Sequence, residues 1–274
     1  MGETNQTRLV ISIQSQVVHG HVGNSAAVFP MQAEGLAVAA VPTTLLSNHP
    51  HYPTTRGRVL EPQLVNDLLL GVEERGLVEK ASILLTGYLG SVANAEVVAA
   101  FVARARKSNP SLLYVCDPVV GDDDVGIFVA DGLLEAFRDT LVPMASAITP
   151  NQFELELLSG LAARSAPDLR VAAAALADGS RRSVIATGCT LEDTPVGKVE
   201  TILCEPHGLS RTATDRLPIR PCGTGDLFTA LFVAGLAKGL PAAEACRRAT
   251  VQVFRILERT KDGEEMQLTP WPWA

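Results

Sequence analysis

Pro221-Cys222-Gly223-Thr224-Gly225-Asp226 runs straight into Leu227-Phe228-Thr229-Ala230-Leu231-Phe232, a turn feeding an apolar segment. Two glycines around a threonine leave the backbone free to turn tightly where a helix begins. Unpaired N–H groups and the positive end of the helix dipole point the same way there, which makes an anion site. A carboxylate at Asp226 would repel a bound phosphate, yet it is well placed to take a proton from a hydroxyl attacking that phosphate. The segment reads as an anion hole plus a general base, the core of a phosphotransferase. Taken alone it is equally an ordinary Gly-rich turn with Asp226 as a first-turn dipole partner.

Outward from this stretch, short apolar runs alternate with longer amphipathic ones. Leu9-Val10-Ile11-Ser12-Ile13, Ala37 to Val41, Ile83-Leu84-Leu85, Leu112 to Cys116 and Ser183 to Ala186 read as strands. Most lack strict polar alternation, which predicts a sheet covered on both faces. Helices are predicted over Pro62 to Arg75, Ala93 to Lys107, Asn151 to Leu158, Pro167 to Ala177, Gly225 to Leu236 and Ala242 to Glu258. Pro62 suits a first turn and Asn151 an N-cap. The alternation predicts an α/β chain with a mainly parallel sheet between two helical layers. Thr201 to Cys204 and Ser210 to Thr214 are too close for a crossover helix and predict an antiparallel hairpin at a sheet edge. No linker or internal repeat divides the chain, so residues 1–274 are expected to form one domain.

The 274 residues are 47% hydrophobic, enough for a large core. The net charge of −7 and scattered basic pairs such as Arg181-Arg182 argue against a nucleic-acid surface. Five cysteines lie far apart without a C-x-x-C, as expected of reduced thiols in a cytoplasmic enzyme. Cys222 lacks the His or Asn spacing of a nucleophile and reads as a small residue beside the anion site. No apolar run reaches membrane-spanning length. The polar start Met1 to Gln6 carries no secretory pattern, and Gln6 breaks a myristoylation signature.

Ligands of open α/β sheets sit beyond the carboxyl ends of the strands. Gln14-Ser15, Thr43-Thr44, Thr86-Gly87-Tyr88, Asp117-Pro118, Thr149-Pro150-Asn151 and Thr187-Gly188 are each expected to follow a strand. Each alone could be a cap or turn; their convergence with the anion site favours a ligand site. No Walker A loop occurs, since Gly197-Lys198 is followed by Val199, and Phe228 replaces the third glycine of a dinucleotide fingerprint. Asp122-Asp123-Asp124 lies between Gly121 and Gly126 and reads as a solvated or lid loop, three successive carboxylates being unable to face one ion. Glu154 and Glu156 should point to different faces, with only Glu154 able to reach a metal-bound phosphate. His19, His21, His49 and His51 fall in two pairs that define no metal site.

From about Val10 to about Thr260 the chain resembles the pyridoxal kinase family of the ribokinase superfamily. The resemblance rests on Gln14-Ser15, Gly20 to Ala27, Phe29 to Gln32, Ser47-Asn48-His49-Pro50-His51-Tyr52 and Thr86-Gly87-Tyr88-Leu89-Gly90-Ser91. It continues through Cys116 to Asp122, Thr149-Pro150-Asn151 with Glu154, and Gly223-Thr224-Gly225-Asp226. It implies a ribokinase-like three-layer α/β/α sandwich, a mainly parallel central sheet with an antiparallel edge, and one kinase domain over 1–274. It implies ATP-dependent phosphorylation of the 5′-hydroxymethyl group of pyridoxal, pyridoxine and pyridoxamine, as in vitamin B6 salvage. By resemblance Asp226 is the base, and Gly223, Thr224 and Gly225 form the anion hole. Ser15, Thr43, Thr44 and Tyr88 would hold the pyridine ring. Asp117, Thr149, Glu154, Thr187, Arg220, Pro221, Cys222 and Gly223 would line the nucleotide side. Asp117 and Glu154 would serve Mg2+, with K+ as the monovalent candidate, and Asp122 to Phe128 would form a lid. The expected partners are pyridoxal and ATP, with no nucleic acid and no membrane, in a cytoplasmic homodimer.

Leu45-Leu46 stands where many relatives carry Gln-Phe, Phe128 where some carry Tyr, and the stretch after Asp193 is short. The rival readings are a hydroxymethylpyrimidine kinase on the same scaffold and a pyridoxal 5′-phosphate binding protein with little catalysis. A ribokinase-type sugar kinase fits less well, because an aromatic-flanked pocket suits a planar ring.

Overall fold

The computed structural model describes residues 8–177, 179, 182–205, 208–260 and 265–271. Met1 to Gln6 and Arg181 lie outside the described residues. In chain order the strands are β1 (Leu9–Val17), β2 (Ala37–Leu46), β3 (Gly57–Val59), β4 (Ala81–Thr86), β5 (Leu113–Cys116), β6 (Gly121–Asp122), β7 (Gly126–Ile127), β8 (Ala147–Ile148), β9 (Ser183–Cys189), β10 (Lys198–Glu205) and β11 (Gly208–Asp215). The helices are α1 (Asn24–Ala33), α2 (Pro62–Glu74), α3 (Leu77–Lys80), α4 (Val92–Ser108), α5 (Leu133–Ala136), α6 (Val142–Met144), α7 (Gln152–Ser159), α8 (Ala166–Ala177), α9 (Thr224–Ala237) and α10 (Ala242–Thr260). A π-helical turn, Phe137–Leu141, joins α5 to α6.

The main sheet runs β11-β10-β9-β8-β5-β4-β1-β2-β3. Every junction from β9 through β2 is parallel. The expected hairpin is there as β10 and β11, antiparallel at one edge. The other edge, β3 against β2, is also antiparallel, and its three residues carry too little pattern to be read in advance.

Strand side chains divide by parity between two cores, as the period of two requires. Ile11, Ile13, Leu84, Tyr114, Cys116, Ile148, Val184 and Ala186 face one way, under α2, α4, α7 and α8. Val10, Ile83, Leu85, Val115, Ala147 and Ile185 face the other, under α1, α9 and α10. Both faces are covered, which is why the strands lack polar alternation. Helix α9 is buried almost throughout, packed between α1 and α10, so its apolar run continues all round the helix.

Two boundaries matter for the site. β1 continues to Val17 and β2 to Leu46, so Gln14-Ser15 and Thr43-Thr44 lie inside strands rather than after them. Thr86 and Thr187-Gly188 are likewise strand residues, whereas Tyr88, Asp117 and Thr149 follow strand ends as expected. The extension of β1 and β2 comes with a register shift. Gln14 pairs with Pro42 and Gln16 with Leu45, which leaves Ser15 opposite both Thr43 and Thr44. Such a bulge redirects side chains without ending the ladder.

Candidate active site

Helix α9 starts where the first-read stretch predicts. Gly223 is its N-cap with φ 80, and the Leu227 N–H donates the first helical bond to the Gly223 carbonyl at 2.9 Å. The N–H groups of Thr224, Gly225 and Asp226 therefore have no helical partner. A Cβ on Gly223 would lie 1.7 Å from the His21 carbonyl oxygen, so only glycine admits this approach of the β1–α1 loop. The Thr224 hydroxyl donates to the Pro221 carbonyl and pins the turn.

Asp226, in the first turn, accepts a hydrogen bond from the Gly23 backbone N–H. Burial nevertheless pushes its carboxyl up to about 6. Asp117, just past β5, is buried and accepts from the Thr229 hydroxyl at 3.1 Å, which in turn meets Thr149 Oγ1 at 2.9 Å. Burial, then the nearby carboxylates of Asp226 and Glu154, raise Asp117 well above the usual range. Burial thus disfavours the charged form of both carboxyls. The buried carboxyl of Asp117, with Glu154 near enough to act on its charge, fits a hard divalent cation, which would favour the ionised form of Asp117 and of its neighbour Asp226.

Glu154 sits in a capping box with Asn151 at the start of α7. Its Oε1 accepts from the N–H groups of Val120 at 2.9 Å and Gly121 at 3.3 Å, and Oε2 from Asn151 N–H at 2.9 Å. Burial still pushes it up to about 7. Glu154 therefore ties α7 to the base of the β6–β7 hairpin, while Glu156 faces away to Arg164, as the spacing predicts.

That hairpin covers the expected lid segment. Asp122, Asp123 and Asp124 all reach the Arg220 guanidinium, at 3.4, 2.5 and 3.0 Å. The expectation that three successive carboxylates cannot face one ion is corrected here. The turn at 123–125 folds all three side chains to one side, where one cation serves them. Phe128 is exposed beside the hairpin. Thr187 is half-buried in β9, with its N–H on the Pro150 carbonyl, on the β9 side of Asn151.

The expected ring-binding residues gather at the bulge. The Thr43 hydroxyl donates to the Tyr88 carbonyl at 2.7 Å, which joins β2 to the loop after β4. Thr44 Oγ1 is buried with no protein partner. Tyr88 is half-buried, and desolvation raises its phenol. Gly87 and Gly23 permit this crowding, since a Cβ would lie 2.3 Å from Gln14 Oε1 and from Ser15 Oγ respectively.

Sequence reasoning missed the residues that hold these loops. Asn24 Nδ2 donates to the Gln14 and Val41 carbonyls at 3.2 Å, directly below the bulge. Asn94 Nδ2 reaches the carbonyls of Thr43, Leu60 and Leu89. A polar amide in an apolar helical pattern was the available signal. Glu265 was invisible to such reading, because its partners His21, His49 and Tyr52 are more than two hundred residues away. Cys222 Sγ lies 3.1 Å from His51 Nδ1, and burial, with nearby Glu265 and Asp226, pushes the thiol up to about 11. It is no thiolate at neutral pH. All five cysteines are free, and no helix among the described residues is long and apolar enough to cross a membrane.

Three comparisons bear on this site. The phosphomethylpyrimidine kinase family profile matches residues 55–268. The pyridoxine/pyridoxal/pyridoxamine kinase of Bordetella bronchiseptica is 41% identical over 254 residues, 93% of this chain and 90% of its own. Pyridoxal kinase PdxY of Rubrobacter xylanophilus is 39% identical over 262 residues, 94% of this chain and 90% of its own. Among solved structures, the pyridoxal kinase of Leishmania donovani in complex with ADP and pyridoxamine superposes with TM-score 0.87 at 31% identity, over 96% of this chain and 94% of that one.

Proposed function

This chain belongs to the pyridoxal kinase family, and from that premise we propose that it transfers the γ-phosphoryl group of ATP to the 5′-hydroxymethyl group of pyridoxal, pyridoxine and pyridoxamine. The observation that carries the reading is the pairing of Asp226 with the unpaired N–H groups of its own helix start, beside a second buried carboxylate at Asp117.

In this mechanism the substrate hydroxyl lies against Asp226, which takes its proton as the new O–P bond forms and the bond from the γ-phosphorus to ADP breaks. The N–H groups of Thr224, Gly225 and Asp226 face the charge that develops on the transferring group, already oriented before reaction. Gly223 lets that turn approach closely. Ser15, Thr43, Thr44 and Tyr88 orient the pyridine ring, with Thr44 Oγ1 the hydroxyl left over for the substrate. Asp117 and Glu154 are the residues assigned to Mg2+, which when bound would neutralise phosphate charge. On the nucleotide side, Thr149, Thr187, Arg220, Pro221 and Cys222 complete the wall, and the β6–β7 hairpin closes over it to keep water out.

Phosphoryl transfer asks mainly for positioning and charge neutralisation, and this site offers groups for both. The same reading makes the protein a Mg2+-dependent cytoplasmic enzyme of vitamin B6 salvage. Its assembly as a homodimer is supported by apolar side chains left exposed on β2, β3 and α2, namely Leu45, Val59, Leu64 and Leu68.

The family profile, named for phosphomethylpyrimidine kinase, keeps one competing substrate class in view, a pyrimidine such as hydroxymethylpyrimidine. ADP release measured side by side with pyridoxal, pyridoxine, pyridoxamine and hydroxymethylpyrimidine separates the two. The proposal expects the highest kcat/KM with a pyridine vitamer. Preference for the pyrimidine, or tight binding of pyridoxal 5′-phosphate without any ADP release, would overturn it.

A further inference from the structure

We propose that Glu265 is a positioning residue of the kinase reaction, holding from the C-terminal segment the two substrate-side loops that set the place of Asp226. The inference rests on the functional reading above and adds a residue to it.

The sequence places four histidines in two distant pairs with no metal spacing. The structure brings both pairs to one spot. Glu265 Oε2 accepts the His21 backbone N–H at 3.1 Å. Its Oε1 accepts from the Tyr52 hydroxyl at 2.9 Å and lies 2.8 Å from His49 Nε2. One carboxylate thus joins the β1–α1 loop to the 47–56 loop. The rings of His19, His49, His51 and Tyr52 pack against one another around it.

From Glu265 to the catalytic base the path is short. The His21 N–H is held by Glu265, and the carbonyl of the same residue abuts Gly223, where a Cβ would lie 1.7 Å away. Two residues on, the Gly23 N–H donates to Asp226. Fixing the His21 peptide therefore fixes both the turn that carries the anion site and the donor on the base. Glu265 bonds to His21, His49 and Tyr52 and acts on Asp226 through residues 21–23.

The anchor itself is firm. Met266, Leu268 and Trp271 are buried against the α1, α9 and α10 core. The Arg259 guanidinium donates to the carbonyls of Gln267 and Pro270, and Trp271 Nε1 to Glu34 at 3.1 Å. Burial works against the Glu265 charge, but hydrogen bonds from Tyr52 and His49 outweigh it and hold the carboxyl below its usual range.

The test compares wild type, Glu265→Ala and Glu265→Gln, measuring kcat, KM for pyridoxal, KM for ATP, thermal unfolding and hydrogen exchange of residues 18–24 in the ligand-free protein. For Glu265→Ala the expectation is a folded protein with kcat lowered by about 10 to 10²-fold, the scale of a small misplacement. KM for pyridoxal should rise, KM for ATP should rise less, and protection at 18–24 should fall. Glu265→Gln keeps a carbonyl for the His21 N–H and should give intermediate values, so the prediction survives an alanine variant that does not fold. Wild-type kcat and KM in Glu265→Ala would overturn the inference. So would a lower kcat with both KM values and the protection of 18–24 unchanged, since that is mere loss of active protein. A wild-type chain without ATP-dependent turnover overturns the functional reading instead, and shows itself before any variant is compared.

Discussion

The two sides of the α9 start are secured by different physics. On the nucleotide side the β6–β7 hairpin is clasped by Arg220 to Asp122, Asp123 and Asp124, all with about half or more of the side chain in solvent. On the substrate side Glu265, Asn24 and Asn94 hold their loops through half-buried or buried hydrogen bonds to backbone. Exposed ion pairs contribute little and weaken with salt. Buried bonds to backbone are costly to break. On the function proposed above, this difference would keep the acceptor side fixed and leave the β6–β7 hairpin releasable. In the proposed mechanism a nucleotide would enter and leave under that hairpin, whereas the hydroxyl needs one position relative to Asp226.

The strongest way to break this comparison is at Gly223. Gly223→Ala would force a positive φ on a residue with a Cβ and drive it into the His21 carbonyl. Left-handed backbone strain alone is of order 1–3 kcal/mol. The account expects a fall of several degrees in the unfolding midpoint and a loss of turnover of about 10²-fold or more. A soluble, fully active Gly223→Ala would show that the acceptor side is not fixed through this contact.

The next effect is on pH. As the proposed base Asp226 would act in its ionised form, and burial raises it to about 6. Activity should therefore grow with pH through about 6 and fall about tenfold per unit well below it. Stability runs the other way. A carboxyl raised above its unfolded value stabilises the fold when protonated, and that contribution is lost as pH rises through the folded value. Asp226→Asn should accordingly unfold at a higher temperature than wild type at pH 7. A variant less stable than wild type would contradict the burial argument.

The smallest effect is at the lid. Asp123→Asn should change global stability by less than about 1 kcal/mol. Hydrogen exchange in residues 121–128 should nonetheless rise, and added salt should reproduce that rise in wild type. Equal protection of 121–128 at low and high salt would mean that the clasp is not what holds the lid.

Much of this fold was legible in the sequence. The apolar runs located most strands of the main sheet, because parallel strands covered on both faces need no polar alternation. The Gly223-Thr224-Gly225 turn announced α9. What stayed hidden were elements whose signal is tertiary. β3 and the β6–β7 hairpin are two or three residues per strand, too short to carry a period. Helix α1 begins after Gly23 without a side-chain cap and contains Pro30. The overrun of β1 and β2 puts Ser15 and Thr43-Thr44 in a bulge, and a bulge is a property of two strands in register. Asp226, Asp117 and Tyr88 could be singled out because they stand at or just past strand ends and a helix start. Glu265 was not, because nothing local distinguishes it.

The most direct test of the central claim is turnover by Asp226→Asn. The account predicts that this variant binds pyridoxal and ATP with near wild-type affinity while kcat for phosphate transfer falls by about 10² to 10⁴-fold. Turnover within a few-fold of wild type would remove the α9 carboxylate from the chemistry, and the mechanism built on it would fall.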